Sequence, residues 1–165
     1  KDISIPIPQT PAKKPIPQTS KKMSQVVLPT NNELMQGINA CNVEIVQILM
    51  STGEYSKYLD SALLYACSTC KESSTVYNGR VRGVVVPTLL SYGANVNCFY
   101  TESKMTPLMY ACKNESENVV NAILERKGVD VDMKDKQGNS ALTYAATKSF
   151  TYGIQAIVDY KQRNK

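Results

Sequence analysis

Two cysteines, Cys67 and Cys70, have the spacing of zinc ligands and come nearest to a known chemical motif in this sequence. Two thiolates separated by two residues form half of a tetrahedral zinc site. The other half is missing, because the sequence contains no histidine and no second Cys-x-x-Cys pair. We therefore predict no metal site and interpret the two cysteines as structural, with a reactive or redox pair as the alternative.

Other residue types that catalyse reactions near neutral pH are also poorly represented. Histidine, the usual general base, is absent. The sequence has no glycine-rich phosphate loop, and no serine or cysteine has an identifiable partner that would activate it as a nucleophile. Aspartate, glutamate and lysine are present, but no recognisable spacing pairs them. The chain is predicted not to be an enzyme and to require no cofactor.

Cys67 is the last residue of one copy of an internal repeat, so its position in the fold depends on that repeat. The run Thr-Pro-Leu-Met-Tyr-Ala-Cys at residues 106–112 recurs 34 residues later as Ser-Ala-Leu-Thr-Tyr-Ala-Ala at 140–146. A third copy, Ser-Ala-Leu-Leu-Tyr-Ala-Cys, occupies residues 61–67. A period of about 33 residues is typical of a repeat array, in which stacked units present an extended surface to partners.

Each copy carries signals that begin a helix. The opening Ser61, Thr106 or Ser140 can supply an N-cap oxygen, and Pro107 fits the first helical position, where its missing N–H has no partner to lose. Apolar residues at three- and four-residue spacing downstream predict a second helix in each unit. A helix pair of this kind cannot bury its apolar faces alone, so the units are predicted to stack.

These units resemble ankyrin repeats. The resemblance rests on the Thr-Pro-Leu-x-x-Ala pattern, the Asp-Lys-Gln-Gly run at residues 135–138 and the Gly-Ala-Asn-Val-Asn run at residues 93–97. It covers roughly residues 31 to 163 and implies an all-α solenoid of stacked helix-turn-helix units with short β-hairpin fingers. The predicted units are residues 31–60, which resemble a capping repeat, 61–100, 101–134 and 135–163.

The chain departs from the ankyrin pattern in three places. Residues 54–60 are too few for a full finger, and residues 71–82 form an insertion that is either tolerated surface length or part of a binding side. Because Pro87 is tolerated only in a first turn, the helix after the insertion is predicted to begin between Gly83 and Val85. Gly53 and Gly93 are expected in the left-handed conformation. The usual histidine of the pattern is replaced by Leu64, Met109 and Thr143, which puts its inter-repeat hydrogen bonds in doubt.

Charge divides the chain into two predicted regions, residues 1–22 and the repeat domain, residues 23–165. The first carries five lysines and one aspartate, a net charge of +4, and the second carries 14 basic and 13 acidic residues, a net charge of +1, which together give +5. A nearly neutral repeat domain argues against nucleic-acid binding. No apolar run is long enough to span a membrane. An odd number of cysteines, predicted to be buried, favours a reducing compartment, cytoplasmic or nuclear.

Residues 1–22 contain two copies of Pro-Ile-Pro-Gln-Thr and are predicted to be an extended, polyproline-like segment. The segment is a natural tail, a linker or a fused peptide. One hypothesis is that it binds along the groove of its own or a neighbouring repeat stack as a ligand. The candidate ligand residues are Ile5, Pro6, Ile7, Pro8, Gln9, Thr10, Pro15, Ile16 and Pro17.

The resemblance to ankyrin repeats implies a partner-binding surface on the finger tips and the exposed side of each first helix. Phe99 and Tyr100 are expected to be exposed anchors, and Glu102, Asp132 and Asp135 are expected to receive lysines of the partner. The predicted partner-binding residues are Ser68, Thr69, Phe99, Tyr100, Glu102, Ser103, Met105, Lys113, Asn114, Met133, Lys136, Gln137, Asn139, Thr147 and Lys148.

Two further interpretations follow from the same resemblance. Asn97 stands where some ankyrin fingers carry a hydroxylated asparagine, so it is a possible modification site. The chain is predicted to bind a protein or peptide, of Pro- and Lys-rich character if residues 1–22 mimic the ligand. The alternative is an architectural subunit of a larger assembly, in which residues 1–22 make weak electrostatic contacts.

Overall fold

A computed structural model describes residues 33–69, 76–77, 80–81 and 84–164. Within these residues the chain forms eight α-helices, one 3-10 helix and a two-stranded hairpin. The helices are α1 (Glu33–Asn39), α2 (Val43–Ser51), α3 (Leu59–Thr69), α4 (Val85–Ser91), α5 (Pro107–Lys113), α6 (Glu117–Leu124), α7 (Ala141–Thr147) and α8 (Thr151–Arg163). None of these helices is long and apolar enough to cross a lipid bilayer.

The helices form two layers of a stack. The first helices of the units, α1, α3, α5 and α7, pack against one another in sequence order, and so do the second helices, α2, α4, α6 and α8. Within each unit the two helices also pack together. One continuous core runs between the layers from Leu34 to Tyr160. This confirms the predicted all-α solenoid, in which each unit buries its apolar faces only against its neighbours.

Two of the three predicted helix caps are confirmed. The hydroxyls of Thr106 and Ser140 accept hydrogen bonds from the backbone N–H of Met109 and Thr143, both at 3.3 Å. In return the backbone N–H of Thr106 donates to the Met109 sulfur at 3.5 Å, and that of Ser140 donates to the Thr143 hydroxyl at 3.3 Å. Met109 and Thr143 occupy the place of the usual histidine, so these side chains complete the caps of their own units.

The predicted cap at Ser61 is wrong. Helix α3 begins at Leu59, directly after the 3-10 helix Ser56–Tyr58, and Ser61 lies inside α3, where its hydroxyl donates to the carbonyl of Tyr58 at 2.9 Å. The short link after Gly53 explains the difference. It leaves no room for a finger, and a 3-10 turn that continues into the helix supplies the first carbonyls without a separate cap.

The helix after the insertion begins at Val85, as predicted, and Pro87 lies in its first turn. Gly53 and Gly93 adopt the predicted left-handed conformation, with φ of 79° and 96°. Within the insertion, strand β1 (Val76–Tyr77) pairs antiparallel with strand β2 (Arg80–Val81). The rest of the insertion lies outside the described residues.

The fingers differ from the β-hairpins that were expected. Residues 99–104 and 133–139, all described, contain no strand. Each finger is instead closed by two backbone hydrogen bonds. In the first finger the N–H groups of Ser103 and Lys104 donate to Tyr100 O at 3.2 and 2.7 Å, and in the second Asp135 N–H donates to Asn139 O at 2.9 Å and Gly138 N–H to Asp135 O at 3.1 Å. The arms are too short for a ladder, and in the second finger the Asp135 carboxylate accepts two further backbone N–H groups.

Candidate functional site

The fingers and the C-terminal ends of the first helices form one surface, which we call the finger face. It comprises residues 99–104, residues 133–139 and the ends of α3, α5 and α7. The two fingers lie side by side, because the backbone N–H of Lys136 donates to the carbonyl of Ser103 at 3.1 Å. This hydrogen bond fixes the position of one finger relative to the next.

Asp135 holds the second finger together. Its buried carboxylate accepts hydrogen bonds from the backbone N–H groups of Gln137 and Asn139, at 2.9 and 2.8 Å, and from the Tyr144 hydroxyl at 2.5 Å. Burial raises the pKa of Asp135, but these hydrogen bonds outweigh burial and hold the pKa below its usual value. The expectation that Asp135 receives a partner's lysine is therefore wrong, whereas Lys136 and Gln137 remain exposed at the tip.

The aromatic residues of the first finger are less exposed than predicted. Tyr100 is half-buried and meets Tyr110 edge-on, with ring centroids 6.1 Å apart. Burial raises the pKa of Tyr100 above its ordinary value. Phe99 is also half-buried. Tyr100 is therefore a packing residue at the base of the finger, and the prediction that it is an exposed anchor is wrong.

Met105 was predicted to face a partner and is instead buried. The Tyr144 hydroxyl lies 3.9 Å from its sulfur. Met105 lies where the chain passes from the first finger into α5, and it is covered there by α7 of the next unit. Ser103 is half-buried, and its hydroxyl accepts the backbone N–H of Met105 at 3.2 Å.

Asn114, at the end of α5, connects two repeats. Its side-chain amide donates to the carbonyls of Cys67 and Ser68 in the preceding repeat, at 2.9 and 3.1 Å. The hydroxyls of Ser68 and Thr69 both donate to the carbonyl of Tyr65 at 2.9 Å, within their own helix. These three predicted contact residues are half-buried and carry structural hydrogen bonds.

The predicted residues thus divide by exposure. Those that are exposed on the finger face are Glu102, Lys113, Lys136, Gln137, Thr147 and Lys148. Those that are half-buried are Ser68, Thr69, Phe99, Tyr100, Ser103, Asn114, Met133 and Asn139. The second finger is joined to α7 by the Tyr144–Asp135 hydrogen bond, and Lys113 of α5 lies over the same tyrosine ring.

Asn97 joins two repeats at the base of the fingers. Its side-chain N–H donates to the carbonyl of Gly128 at 2.7 Å, and its side-chain oxygen accepts the backbone N–H of Asp130 at 2.9 Å. One repeat earlier, Asp60 accepts the backbone N–H of Asn95 at 2.8 Å in the same way. Hydroxylation of Asn97 remains a prediction, and this asparagine has a structural role that the sequence reasoning missed.

Exposed lysines dominate the finger face. They are Lys104, Lys113, Lys134, Lys136 and Lys148. On the two fingers the matching exposed carboxylate is Glu102 alone. Asp132, expected to receive a partner's lysine, is paired instead with Lys161 of α8. The Lys113 ammonium lies 5.9 Å above the ring of Tyr144, within cation–π distance.

Lys104 and Lys134 were missed by the sequence reasoning. The sequence did carry a signal for Lys104, which stands two residues before the cap Thr106. In the next repeat the equivalent position, two residues before Ser140, is Gly138. Both backbones are left-handed, with φ of 56° at Lys104 and 82° at Gly138. Lysine is therefore held in a conformation that favours glycine.

Four cysteines are buried, namely Cys41, Cys67, Cys98 and Cys112. Burial raises the pKa of Cys112 to about 12. Burial and the nearby Asp60 carboxylate raise that of Cys98 well above its ordinary value. Raised values disfavour the reactive thiolate. Cys70 lies outside the described residues, and within them no cluster of three or more Cys, Asp or Glu could hold a metal ion.

The candidate ligand segment, residues 1–22, also lies outside the described residues. No match to a curated protein was found. The sequence profile described as "Ankyrin repeats (3 copies)" matches residues 74–164, which is more than half of the chain. With the stacked helix pairs described above, this match shows that the chain belongs to the ankyrin-repeat family.

Proposed function

We propose that this chain is a non-enzymatic binding module whose finger face holds an extended segment of a partner protein. Ankyrin repeats generally mediate protein–protein interactions, and the family is typically non-enzymatic. The observation that carries the proposal is the fixed register of the two fingers, given by the Lys136–Ser103 hydrogen bond. A pre-ordered surface loses little conformational entropy when a partner binds.

The side chains of the finger face suit such a partner. Half-buried Phe99 and Met133 supply apolar contact, one on each finger, and exposed Gln137 and Lys136 supply hydrogen-bond donors beside them. Stacked helices lie about 8–10 Å apart. A polyproline-like chain advances about 9 Å in three residues and presents the same face at each third residue. One side chain of the partner could therefore contact each repeat.

Charge argues against residues 1–22 as this partner. That segment carries five lysines and one aspartate, and the finger face itself exposes five lysines. Like charges placed opposite each other disfavour binding. We therefore propose that the ligand is a segment of another protein, and that residues 1–22 have a different role.

A selection experiment tests the proposal. The full chain would be presented with a display library of random 15-residue peptides, and each selected peptide would be titrated into the labelled protein and followed by NMR. We expect the largest shift changes at residues 99–104, at residues 133–139 and at the ends of α5 and α7. Shift changes confined to the second-helix layer, or no binding by any peptide at millimolar concentration, would contradict the proposal.

A further inference from the structure

We infer that the finger face selects a partner segment rich in aspartate or glutamate. This inference rests on the proposed function, because it names the chemical class of the ligand at the same surface. It is carried by the positions of the lysines in the fold. Residues 23–165 have a net charge of only +1, with 14 basic and 13 acidic residues, so an overall excess of positive charge cannot explain the patch.

Exposed charges on the finger face are mostly positive, whereas the second helices and their flanks expose both signs, including Lys127 and Arg163. Five exposed lysines lie on the finger face. Exposed carboxylates lie on the second helices and beside them, at Glu44 of α2, Glu117 of α6 and Asp159 of α8, and at Glu115 and Glu125, which flank α6. A surface that presents one sign of charge steers and selects partners of the opposite sign.

Each of the two units contributes lysines, although not at equivalent positions, since Lys104 aligns with Gly138 and Lys136 with Glu102. The unit formed by the first finger and α5 provides Lys104 at the end of the finger and Lys113 at the helix end. The next unit provides Lys136 at the tip and Lys148 directly after α7. The Lys136–Ser103 hydrogen bond holds the two fingers side by side. A ligand that crosses both fingers would therefore contact lysines of both units. Carboxylates along an extended partner would pair with lysines of both units.

Lys104 adds an independent observation. Its backbone is left-handed, with φ of 56°, at the position where the neighbouring finger has Gly138. A non-glycine residue in this conformation is strained, and such strain is found frequently where a side chain binds a ligand. Glu115 provides a comparison, because its φ is 59° and it belongs to neither finger but to the turn between α5 and α6.

Protein carboxylates fit this surface better than nucleic acid does. Single-stranded nucleic acid is held largely by bases that stack on exposed aromatic rings. Here Tyr100 meets Tyr110 edge-on, and Lys113 covers the ring of Tyr144. The finger face contains no arginine, the residue that binds phosphate groups in a bidentate manner. Half-buried Phe99 and Met133 suit a segment that combines acidic and apolar side chains.

Peptides that differ only in charge test the inference. We would measure fluorescence anisotropy with five-fold repeats of Glu-Pro-Pro, Gln-Pro-Pro and Lys-Pro-Pro and the full chain. We expect the Glu peptide to bind at least about tenfold more tightly than the other two, and its affinity to fall as salt is raised. Equal binding of the Glu and Gln peptides would overturn the acidic preference.

Charge reversal locates the preference on the surface. In the double variant Lys104→Glu with Lys136→Glu, we expect affinity for the Glu peptide to fall at least about tenfold and affinity for the Lys peptide to rise. The matched control is Lys127→Glu with Arg163→Glu, which makes the same change in net charge away from the fingers and should change affinity less than about twofold. Equal effects of the two double variants would overturn the inference.

A second pair of variants separates binding from folding. Lys104→Gly and Glu115→Gly both place glycine at a left-handed position. We expect Lys104→Gly alone to weaken binding of the Glu peptide, by about threefold to fivefold. Unchanged binding in Lys104→Gly would contradict a role for this lysine.

The outcomes also distinguish this inference from the proposed function. If library peptides bind the finger face with no acidic preference, the proposed function stands and the acidic preference is wrong. If no peptide of any charge binds there, the proposed function itself fails. A 15-nucleotide single strand that binds more tightly than the Glu peptide and displaces it would show that the lysines serve nucleic acid instead.

Discussion

Lys104 shows how a single residue combines strain with exposure. The left-handed conformation has a φ of 56° at Lys104, and glycine occupies the equivalent position in the next finger. In such a position a side chain crowds the backbone, and glycine does not. The side chain of Lys104 is exposed, so it gains no stability from burial that would offset this strain.

The substitution Lys104→Gly is expected to stabilise the protein. Relief of strain is worth about 1–2 kcal/mol, and the greater freedom of glycine in the unfolded chain offsets about 0.4–1 kcal/mol of it. We predict a net gain of about 0.5–1 kcal/mol in the free energy of unfolding, measured with urea. Glu115→Gly should give a similar gain, and a loss of stability in both variants would contradict this account of the strain.

Asn97 is predicted to contribute stability between repeats. The substitution Asn97→Ala removes hydrogen bonds to Gly128 and Asp130, and we expect it to lower the free energy of unfolding by about 1–2 kcal/mol. Asn97→Asp keeps the acceptor, as Asp60 does one repeat earlier, and should lower it by less. Equal losses in the two variants would show that the acceptor is unimportant.

Asp135 is predicted to make stability depend on pH. Because its folded pKa is lower than its unfolded value of about 3.9, the stability it adds is present above about pH 4 and is lost as the pH falls through the folded pKa. Asp135→Asn should lower the free energy of unfolding by about 1–2 kcal/mol at pH 7. The difference from the wild type should shrink towards pH 2.

Asp132→Asn is the control for this measurement. The Asp132 side chain is 72% exposed and pairs with Lys161 at the surface, so its loss should change stability by less than about 0.5 kcal/mol. A difference between wild type and Asp135→Asn that stays constant from pH 7 to pH 2 would contradict the assignment.

At the scale of the element, helix α8 requires glycine at position 153 because of side-chain packing and not because of a cap or a turn. Phe150 precedes α8, and its buried ring lies over Gly153, so that a Cβ at this position would come within 2.4 Å of a ring carbon. Real Cβ atoms essentially never approach another heavy atom this closely. Gly37 of α1 is less restricted, because its nearest neighbour would be a methyl group of Ile45 at 3.1 Å.

The substitutions Gly153→Ala and Gly37→Ala should therefore differ. Both gain about 1 kcal/mol in helix propensity. In α8 the displaced Phe150 ring is expected to outweigh this gain, with a net loss of about 1–2 kcal/mol in the free energy of unfolding. In α1 the partly exposed Ile45 can move, so we expect a change of less than about 1 kcal/mol, and an equal result for the two variants in thermal or urea unfolding would contradict the explanation.

The elements also show what the sequence could predict and why. Helix starts at Thr106, Ser140 and Val85 were predictable because caps and proline act within a few residues. The start of α3 at Leu59 was not, because it depends on a shortened connection that forces a 3-10 turn. The burial of Met105 was also missed, since it depends on how the finger meets α7 in the next unit.

At the scale of the whole molecule, the positive charge of the finger face arises only when the units stack. Acidic residues such as Glu115 and Asp132 lie between Lys113 and Lys136 along the sequence, and residues 23–165 are nearly neutral in total. In the stacked fold the finger face exposes five lysines, and Glu102 is the one exposed carboxylate of its two fingers. The sequence therefore indicated the family, whereas the proposed acidic ligand is inferred from the folded positions of the lysines.

The central claim, that the finger face is the binding surface, is tested most directly by photo-crosslinking. A photoreactive benzoylphenylalanine would replace Gln137 on the second finger or, as the control, Gln162, which lines a groove of about 490 Å³ between α6 and α8. The account predicts that a peptide selected from the library crosslinks to position 137 and not to position 162. A crosslink at position 162 with none at position 137 would contradict it.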